Sequence, residues 1–252
     1  MKAVSTRNKF GRKLYWYSQI DSTMKTAYLL ARKGAEEGTV VIAQEQSRGE
    51  GREGHQWFSP SGGLWFSLIL RPRIASSKIS RLSILGAVGI VETVEEAFPW
   101  LFPQIRWPND ALVNGKKVGG VLCKARLEQG KGDFVIMGIG VNLNIEYFPP
   151  SLCFKATSLQ KETGNLVAEG PFLASLLQKL EELYFSSQED FSQVLEKARS
   201  FSSLLGKQVR IQIKKEKLAG WAQDLDDEGN LLLRLESGVV RRISPEEGYI
   251  LK

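Results

Sequence analysis

Between Ser47 and Ser67 the chain reads SRGEGREGHQWFSPSGGLWFS, crowding glycines, charged residues and two tryptophans into one loop–strand unit. Gly49, Gly51 and Gly54 carry no Cβ, so backbone N–H groups there can approach a ligand closely. Arg48 and Arg52 add planar guanidinium forks that match a carboxylate or a phosphate. Trp57 and Trp65 offer flat apolar surface for a ring system. This chemistry suits a mobile lid over a ligand that is anionic at one end and apolar or aromatic at the other. A charged glycine linker has the same composition. Downstream, Asn114-Gly115 is the dipeptide preferred in two-residue hairpin turns. That turn pairs Val113 with Lys116 and Leu112 with Lys117, which puts Asp110 and Lys117 on one face as diagonal neighbours, about 7–8 Å apart at the backbone. A carboxylate beside an ammonium on a hairpin can hold an anion and direct or accept a proton. Alone, Lys117 also reads as a solvated edge-strand lysine, and Asp110 as a turn residue after Pro108-Asn109.

The elements that must position these residues follow from periodicity. Asp21-Ser22-Thr23 predicts a helix start, with Ala27, Leu30 and Ala31 on one face and Gly34 as the stop. Thr39–Ala43 is a β-branched strand leading into the glycine loop, and Leu64–Leu70 is a buried strand leaving it. Leu82, Leu85, Val88, Val91 and Val94 recur at helical spacing over Ser80–Phe98. Gln104–Trp107 returns as a strand. Phe134–Leu143 reads as a buried strand broken by Gly138 and Gly140, where glycines mark a bulge or a close ligand approach. Pro171–Phe185 and Phe191–Leu205 show leucine-rich helical faces. After Gly206, five short segments (QVRIQI, LAGWAQDL, NLLLRL, VVRRIS, YILK) predict a small closed barrel. The expected class is α+β, a mixed sheet flanked by helices, with domains at 1–204 and 205–252.

Composition narrows the chemistry. The chain has 252 residues, enough for one sizeable core and a satellite domain, and contains no apolar run of membrane-spanning length. The basic N-terminal stretch lacks the apolar core of a secretory signal, which with two cysteines lacking CxxC spacing suggests a reducing, cytoplasmic setting. The single histidine, His55, argues against a zinc site and a histidine-based hydrolase triad. The net charge of +6 gathers partly at Lys2, Arg7, Lys9, Arg12 and Lys13 and at Lys207, Arg210, Lys214, Lys215 and Lys217. Such runs read as solvated faces, or as a footprint for nucleic acid, an acidic protein partner or a nucleotide.

With these pieces in order, the chain resembles the monofunctional biotin protein ligases. The resemblance is carried by Asp21-Ser22-Thr23, the glycine loop, Arg106-Trp107-Pro108-Asn109-Asp110, Gly115-Lys116-Lys117-Val118-Gly119-Gly120 and Gly138-Ile139-Gly140-Val141-Asn142, and it covers nearly the whole length. Several positions depart from the family pattern. Met24 stands where the family has asparagine, Glu50 and His55 where it has arginine, and Arg106 where it has lysine. The last strand reads Glu247-Gly248-Tyr249-Ile250 instead of Gly-Glu-Val. Regulatory members carry an N-terminal winged helix-turn-helix. Here the catalytic pattern begins by Trp16, so the expectation is a protein with no specific DNA partner and no membrane partner.

The resemblance implies a class II synthetase-like catalytic domain and a two-step reaction. Biotin carboxylate attacks the α-phosphate of ATP, giving biotinyl-5′-adenylate and pyrophosphate; a lysine of a biotin carboxyl carrier protein then attacks the mixed anhydride and releases AMP. Lys117, Arg52 and Asp110 are the implied catalytic residues, Lys117 neutralising charge and Asp110 orienting or deprotonating the acceptor amine. Ser22, Thr23, Met24, Gln46, Gly49, Glu50, Gly51, Arg52, Lys117, Gly119, Gly120, Gly138 and Gly140 are implied at biotin, the strand glycines letting its bicycle lie on the sheet. Ser22 reads equally as a helix N-cap. Arg52, Trp57, Arg106, Asn109, Lys117 and Asn142 are implied at ATP and the adenylate. Mg²⁺ is expected through the phosphates, with no protein metal ligand. A homodimer is left open. The rival readings are a lipoate or octanoate ligase or transferase of the same fold, and a non-catalytic biotin-binding protein.

Overall fold

The computed structural model describes residues 9–73, 75, 78–128, 131–214 and 216–251. Lys2, Arg7 and Lys215 of the basic runs lie outside the described residues. The chain runs β1 (Leu14–Ile20), α1 (Thr23–Arg32), β2 (Val40–Gln46), β3 (Leu64–Leu70), α2 (Arg81–Ala97), β4 (Gln104–Arg106), β5 (Asp110–Val113), β6 (Lys116–Glu128), β7 (Lys131–Val141), α3 (Leu159–Thr163), α4 (Glu169–Ser187) and α5 (Ser192–Ser200). It continues through β8 (Gln208–Ile213), β9 (Glu216–Leu225), β10 (Leu231–Leu235), β11 (Val240–Ile243) and β12 (Gly248–Leu251). The first seven strands form one sheet in the order β1-β2-β3-β7-β6-β5-β4. Only the β1–β2 pair is parallel; the others are antiparallel.

Both faces of this sheet are covered, which is why β3 is buried at every residue. On one face α1 packs Met24, Ala27 and Ala31 against Val41, Ile69, Phe134 and Ile136. On the other, α2, α4 and α5 share a larger core with the sheet and with the C-terminal strands. Gly86 and Gly89 let α2 sit close: a Cβ there would stand 2.8 Å from Val121 Cγ1 and 2.7 Å from Leu180 Cδ2, respectively. Ser22 caps α1 as predicted, its side chain accepting the Lys25 N–H at 3.4 Å.

Three expectations are corrected. Gly138 and Gly140 do not break their strand: β7 runs unbroken, with Gly138 paired to Ser67 and Leu122 and Gly140 to Trp65 and Gly120. The helix predicted to Leu205 stops at Ser200, because from there Ser203 N–H and Ser203 Oγ donate to the Ile105 carbonyl and the Phe201 carbonyl accepts from Ile105, bonding the chain to β4. The C-terminal strands form a five-stranded antiparallel sheet in the order β11-β10-β9-β8-β12, not a closed barrel: β11 and β12 are its two edges. That sheet turns Val209, Ile211, Ala222, Leu231, Leu233 and Ile243 toward the common core. It is also tied to the helices by Arg81–Glu228 (2.6 Å) and Arg199–Asp224 (2.8 Å).

Candidate active site

The β5–β6 hairpin carries the charged centre. Its turn has the positive φ values the type I′ geometry needs, 50° at Asn114 and 73° at Gly115. Val113 pairs Lys116 and Leu112 pairs Lys117, but a register shift follows, so that Ala111 faces Gly119 and Asp110 faces Gly120. The irregularity moves Asp110 one residue along β6 from its predicted place without separating it from Lys117. One Asp110 oxygen forms an ion pair with Lys117 Nζ. The other accepts from Arg106, which stands directly opposite on β4, at 3.2 Å from Nε and 2.6 Å from Nη2. Burial acts to raise the Asp110 carboxyl pKa; the Lys117 ammonium and the Arg106 guanidinium outweigh it and hold the group below the usual carboxylate range. An ionised, twice-paired carboxylate is a poor proton acceptor, so the geometry favours an orienting role over general-base work.

Lys117 Nζ also lies 4.6 Å from the centroid of the Trp57 ring. Trp57 covers the strand glycines: a Cβ on Gly140 would come within 2.6 Å of Trp57 Nε1, and one on Gly120 within 3.1 Å of Trp57 Cζ3 and of Lys117 Nζ. Likewise Gly138 would place a Cβ 2.7 Å from Met24 Sδ. These glycines make room for the Trp57, Lys117 and Met24 side chains, which share the cavity lining with them.

The glycine loop crosses the cavity mouth as a small hairpin with bonds of its own. Gly51 N–H donates to His55 O (2.7 Å) and Trp57 N–H to Gly49 O (2.9 Å), around a single 3-10 turn at Arg52–Gly54. The Arg52 guanidinium donates to Pro245 O (2.8 Å), Gly248 O (3.1 Å) and Asn109 Oδ1 (3.4 Å), linking the loop to the C-terminal sheet. At the other end of the cavity Thr23 N–H and Oγ1–H both reach Gln46 Oε1, at 2.8 and 3.1 Å. Thr23 Oγ1 meets Ser67 Oγ at 2.8 Å, and Gln46 Nε2 donates to Ser59 Oγ at 3.0 Å.

Side chains from these elements line a cavity of about 340 Å³. It brings together Thr23, Met24, Gln46, Glu50, Gly51, Arg52, Trp57, Arg106, Asn109, Asp110, Lys117, Gly120, Gly138, Gly140 and Asn142. Three expected residues lie outside the lining. Gly119 points to the opposite face of the sheet, where its Cβ would stand 3.4 Å from Ile90 of α2. Gly49 is enclosed beneath the loop, 2.5 Å from Ser59 Oγ by the same measure. Ser22, 1 % exposed, is occupied as the cap and as donor to Glu50 Oε1 at 2.9 Å. Trp65 is core, fully buried with its indole N–H on Pro60 O at 2.8 Å, so it offers no stacking surface. Arg48 is exposed and lies off the cavity, on the outer side of the loop.

Asn109 and Asn142 are both in the wall, with their amide donors committed to backbone. Asn109 Nδ2 donates to Val121 O (2.6 Å), and Asn142 Nδ2 to Thr157 O (2.8 Å) and Lys117 O (3.4 Å). Sequence reading missed Phe148, Leu152 and Ala156 in the lining, and Tyr249 and Ile250 from β12. No motif marks them. The first three arrive because residues 155–157 pair alongside Lys117, whose N–H donates to Lys155 O at 2.9 Å. Among the described residues no group of three or more His, Cys, Asp or Glu is placed to hold a metal ion, and both Asp110 oxygens are engaged. No helix is long and apolar enough to cross a membrane among the described residues.

Residues 16–142 match the Biotin/lipoate A/B protein ligase family, and residues 204–244 match the Biotin protein ligase C terminal domain. The chain is 36% identical over 240 residues to the Bifunctional ligase/repressor BirA of Bacillus subtilis, covering 94% of this chain and 74% of that protein. It is 31% identical over 235 residues to the Biotin--[acetyl-CoA-carboxylase] ligase of Paracoccus denitrificans, covering 90% of this chain and 96% of that one. Among solved structures, the Biotin protein ligase from Aquifex aeolicus in complex with biotin and ATP superimposes with a TM-score of 0.85 at 29% identity, covering 96% of this chain and 99% of that chain.

Proposed function

Since the chain belongs to the Biotin/lipoate A/B protein ligase family, we propose that it is a biotin protein ligase. It joins biotin to ATP as biotinyl-5′-adenylate and passes the biotinyl group to a lysine of a biotin carboxyl carrier domain. The observation that carries the reading is one cavity holding a neutral polar cluster at Thr23–Gln46 together with Lys117, Arg52 and Arg106. A urea-like head group is matched by amide and hydroxyl partners, and a carboxylate meeting a triphosphate is matched by cations.

In the first step a biotin carboxylate oxygen attacks the α-phosphorus and the bond to pyrophosphate breaks. Two anions must be brought together, so Lys117 serves by neutralising their charge on a strand that cannot swing away. Arg52 turns its guanidinium toward the phosphates from the loop. In the second step the neutral amine of the acceptor lysine attacks the biotinyl carbonyl carbon, AMP leaves, and one proton is lost to water. Asp110 aligns Lys117 and Arg106 for both steps. Mg²⁺ would enter with the ATP phosphates, since among the described residues no group of three or more His, Cys, Asp or Glu is placed to cage it.

The carrier domain of a biotin-dependent carboxylase is the proposed partner. The test is incubation with biotin, ATP and such a domain, read by avidin blot, with the same domain lacking its target lysine as control. Labelling of the intact domain alone is the expected result. Transfer of lipoyl or octanoyl groups in place of biotin would point to the sister activity of this fold.

A further inference from the structure

The loop that carries Arg52 has a second anchor, and it uses a residue type that departs from the family pattern. Glu50 stands two positions before Arg52 and bridges Gln56 across the stem of the loop hairpin. Its Oε1 accepts from Ser22 Oγ at 2.9 Å, and its Oε2 is paired with Lys124 Nζ on β6. Both partners belong to rigid elements, Ser22 as the buried cap of α1 and Lys124 within the sheet. We propose that Glu50 is a positioning residue for biotinylation, latching the glycine loop to α1 and β6 so that Arg52 stays over the cavity and the adenylate is kept until the acceptor arrives.

The proposal rests on the ligase reading, and the two anchors differ in a way that gives Glu50 its task. Arg52 is a working group: its bonds to Pro245 O, Gly248 O and Asn109 Oδ1 compete with any phosphate it turns toward. The Glu50 junction involves no group needed at the phosphates, so it persists while Arg52 changes partners. Hydrogen bonds set its direction as well as its strength. Gly49, just before Glu50, is packed so that a Cβ would stand 2.6 Å from Trp57 O, which leaves the stem one way to lie. A carboxylate at position 50 beside an adenylate would be repulsive if it were unpaired; Lys124 cancels that charge at the rim. The Lys124 side chain is 54% exposed and that of Glu50 25%, so the latch is a modest, screenable interaction.

The experiment forms biotinyl-adenylate on the enzyme and measures its release in a chase, with bystander lysine labelling as a second readout. Glu50→Gln and Lys124→Met each release adenylate about 3–5-fold faster. The swap Glu50→Lys with Lys124→Glu returns the rate toward wild type. Raising salt to about 0.5 M speeds release from wild type more than from the single variants, which have already lost the pair, so the rates converge. Lys124→Met forms adenylate at the wild-type rate, which separates a latch from a general loss of fold. Release at the wild-type rate in both single variants, or a swap no better than either, overturns the latch alone. A wild-type enzyme that makes no adenylate overturns the ligase reading and the latch with it.

Discussion

Lys117 and Arg52, two of the cations that line this cavity, are held in opposite ways. Lys117 stands on a strand paired on both sides, with its ammonium fixed by Asp110 and by the Trp57 ring. Arg52 stands on a loop hairpin between glycines, and its partners are two main-chain carbonyls and one amide oxygen from distant parts of the chain. Under the proposed function, the difference separates two tasks. Chemistry at the α-phosphate needs a charge placed to within a fraction of an ångström, which a sheet supplies. Admission of substrates and retention of an intermediate need a charge that can leave and return, which a loop supplies.

The sharpest way to break this contrast is to remove the strand cation. Lys117→Ala is expected to lower biotin-dependent ATP–pyrophosphate exchange by about 10²–10³-fold, the scale of losing one well-placed charge donor, with circular dichroism unchanged. Exchange that survives the substitution removes Lys117 from the chemistry. Arg52→Gly is expected to act on retention instead. Adenylate dissociates about 10–100-fold faster, biotin alone is bound almost as before, and bystander proteins are labelled. Equal dissociation from wild type and variant would place Arg52 in the wall as a structural residue only.

A finer test concerns Asp110. Its carboxyl is held below the ordinary value, so its stabilising contribution is present above about pH 4 and fades as the pH falls through the lower folded-state value. No limb in the pH profile of adenylate formation between about pH 5 and 8 belongs to it. Asp110→Asn leaves Lys117 and Arg106 without their shared partner and is expected to cost about 1–3 kcal/mol in denaturant titration. If the variant instead moves a limb of the profile within that range, Asp110 is the base for the acceptor amine.

How far the sequence could be read follows the same division. The hairpin was legible because Asn114-Gly115 constrains its turn type, and the turn type dictates which residues face each other. The shift between Ala111 and Leu112 was not, since nothing local marks an extra residue in the ladder, yet side-chain length absorbed it and the ion pair survives. The loop was recognisable by composition, but its internal bonds and its anchors were not, because Arg52 and Pro245 are separated by most of the chain. The face of a strand glycine was also hidden. Gly119 and Gly120 are adjacent, and only the pairing with β7 decides that Gly120 meets the cavity and Gly119 meets α2. The barrel expectation came from strand spacing alone, and spacing does not say whether the two edge strands meet.

The carbonyls that receive Arg52 belong to Pro245, two residues before the stretch Glu247-Gly248-Tyr249-Ile250 that departs from the family pattern, and to Gly248 within it. Every amino acid has the same carbonyl, so this attachment asks for a path of the main chain and is indifferent to most of the letters written along it. Substitutions at the exposed Glu246 and Glu247 can accumulate without Arg52 losing its hold, while Gly248 is fixed by packing, since a Cβ there would stand 2.6 Å from Ile243 Cγ2. A feature that matters to the enzyme can in this way leave almost no trace in an alignment, and a search for constrained side chains would pass over it.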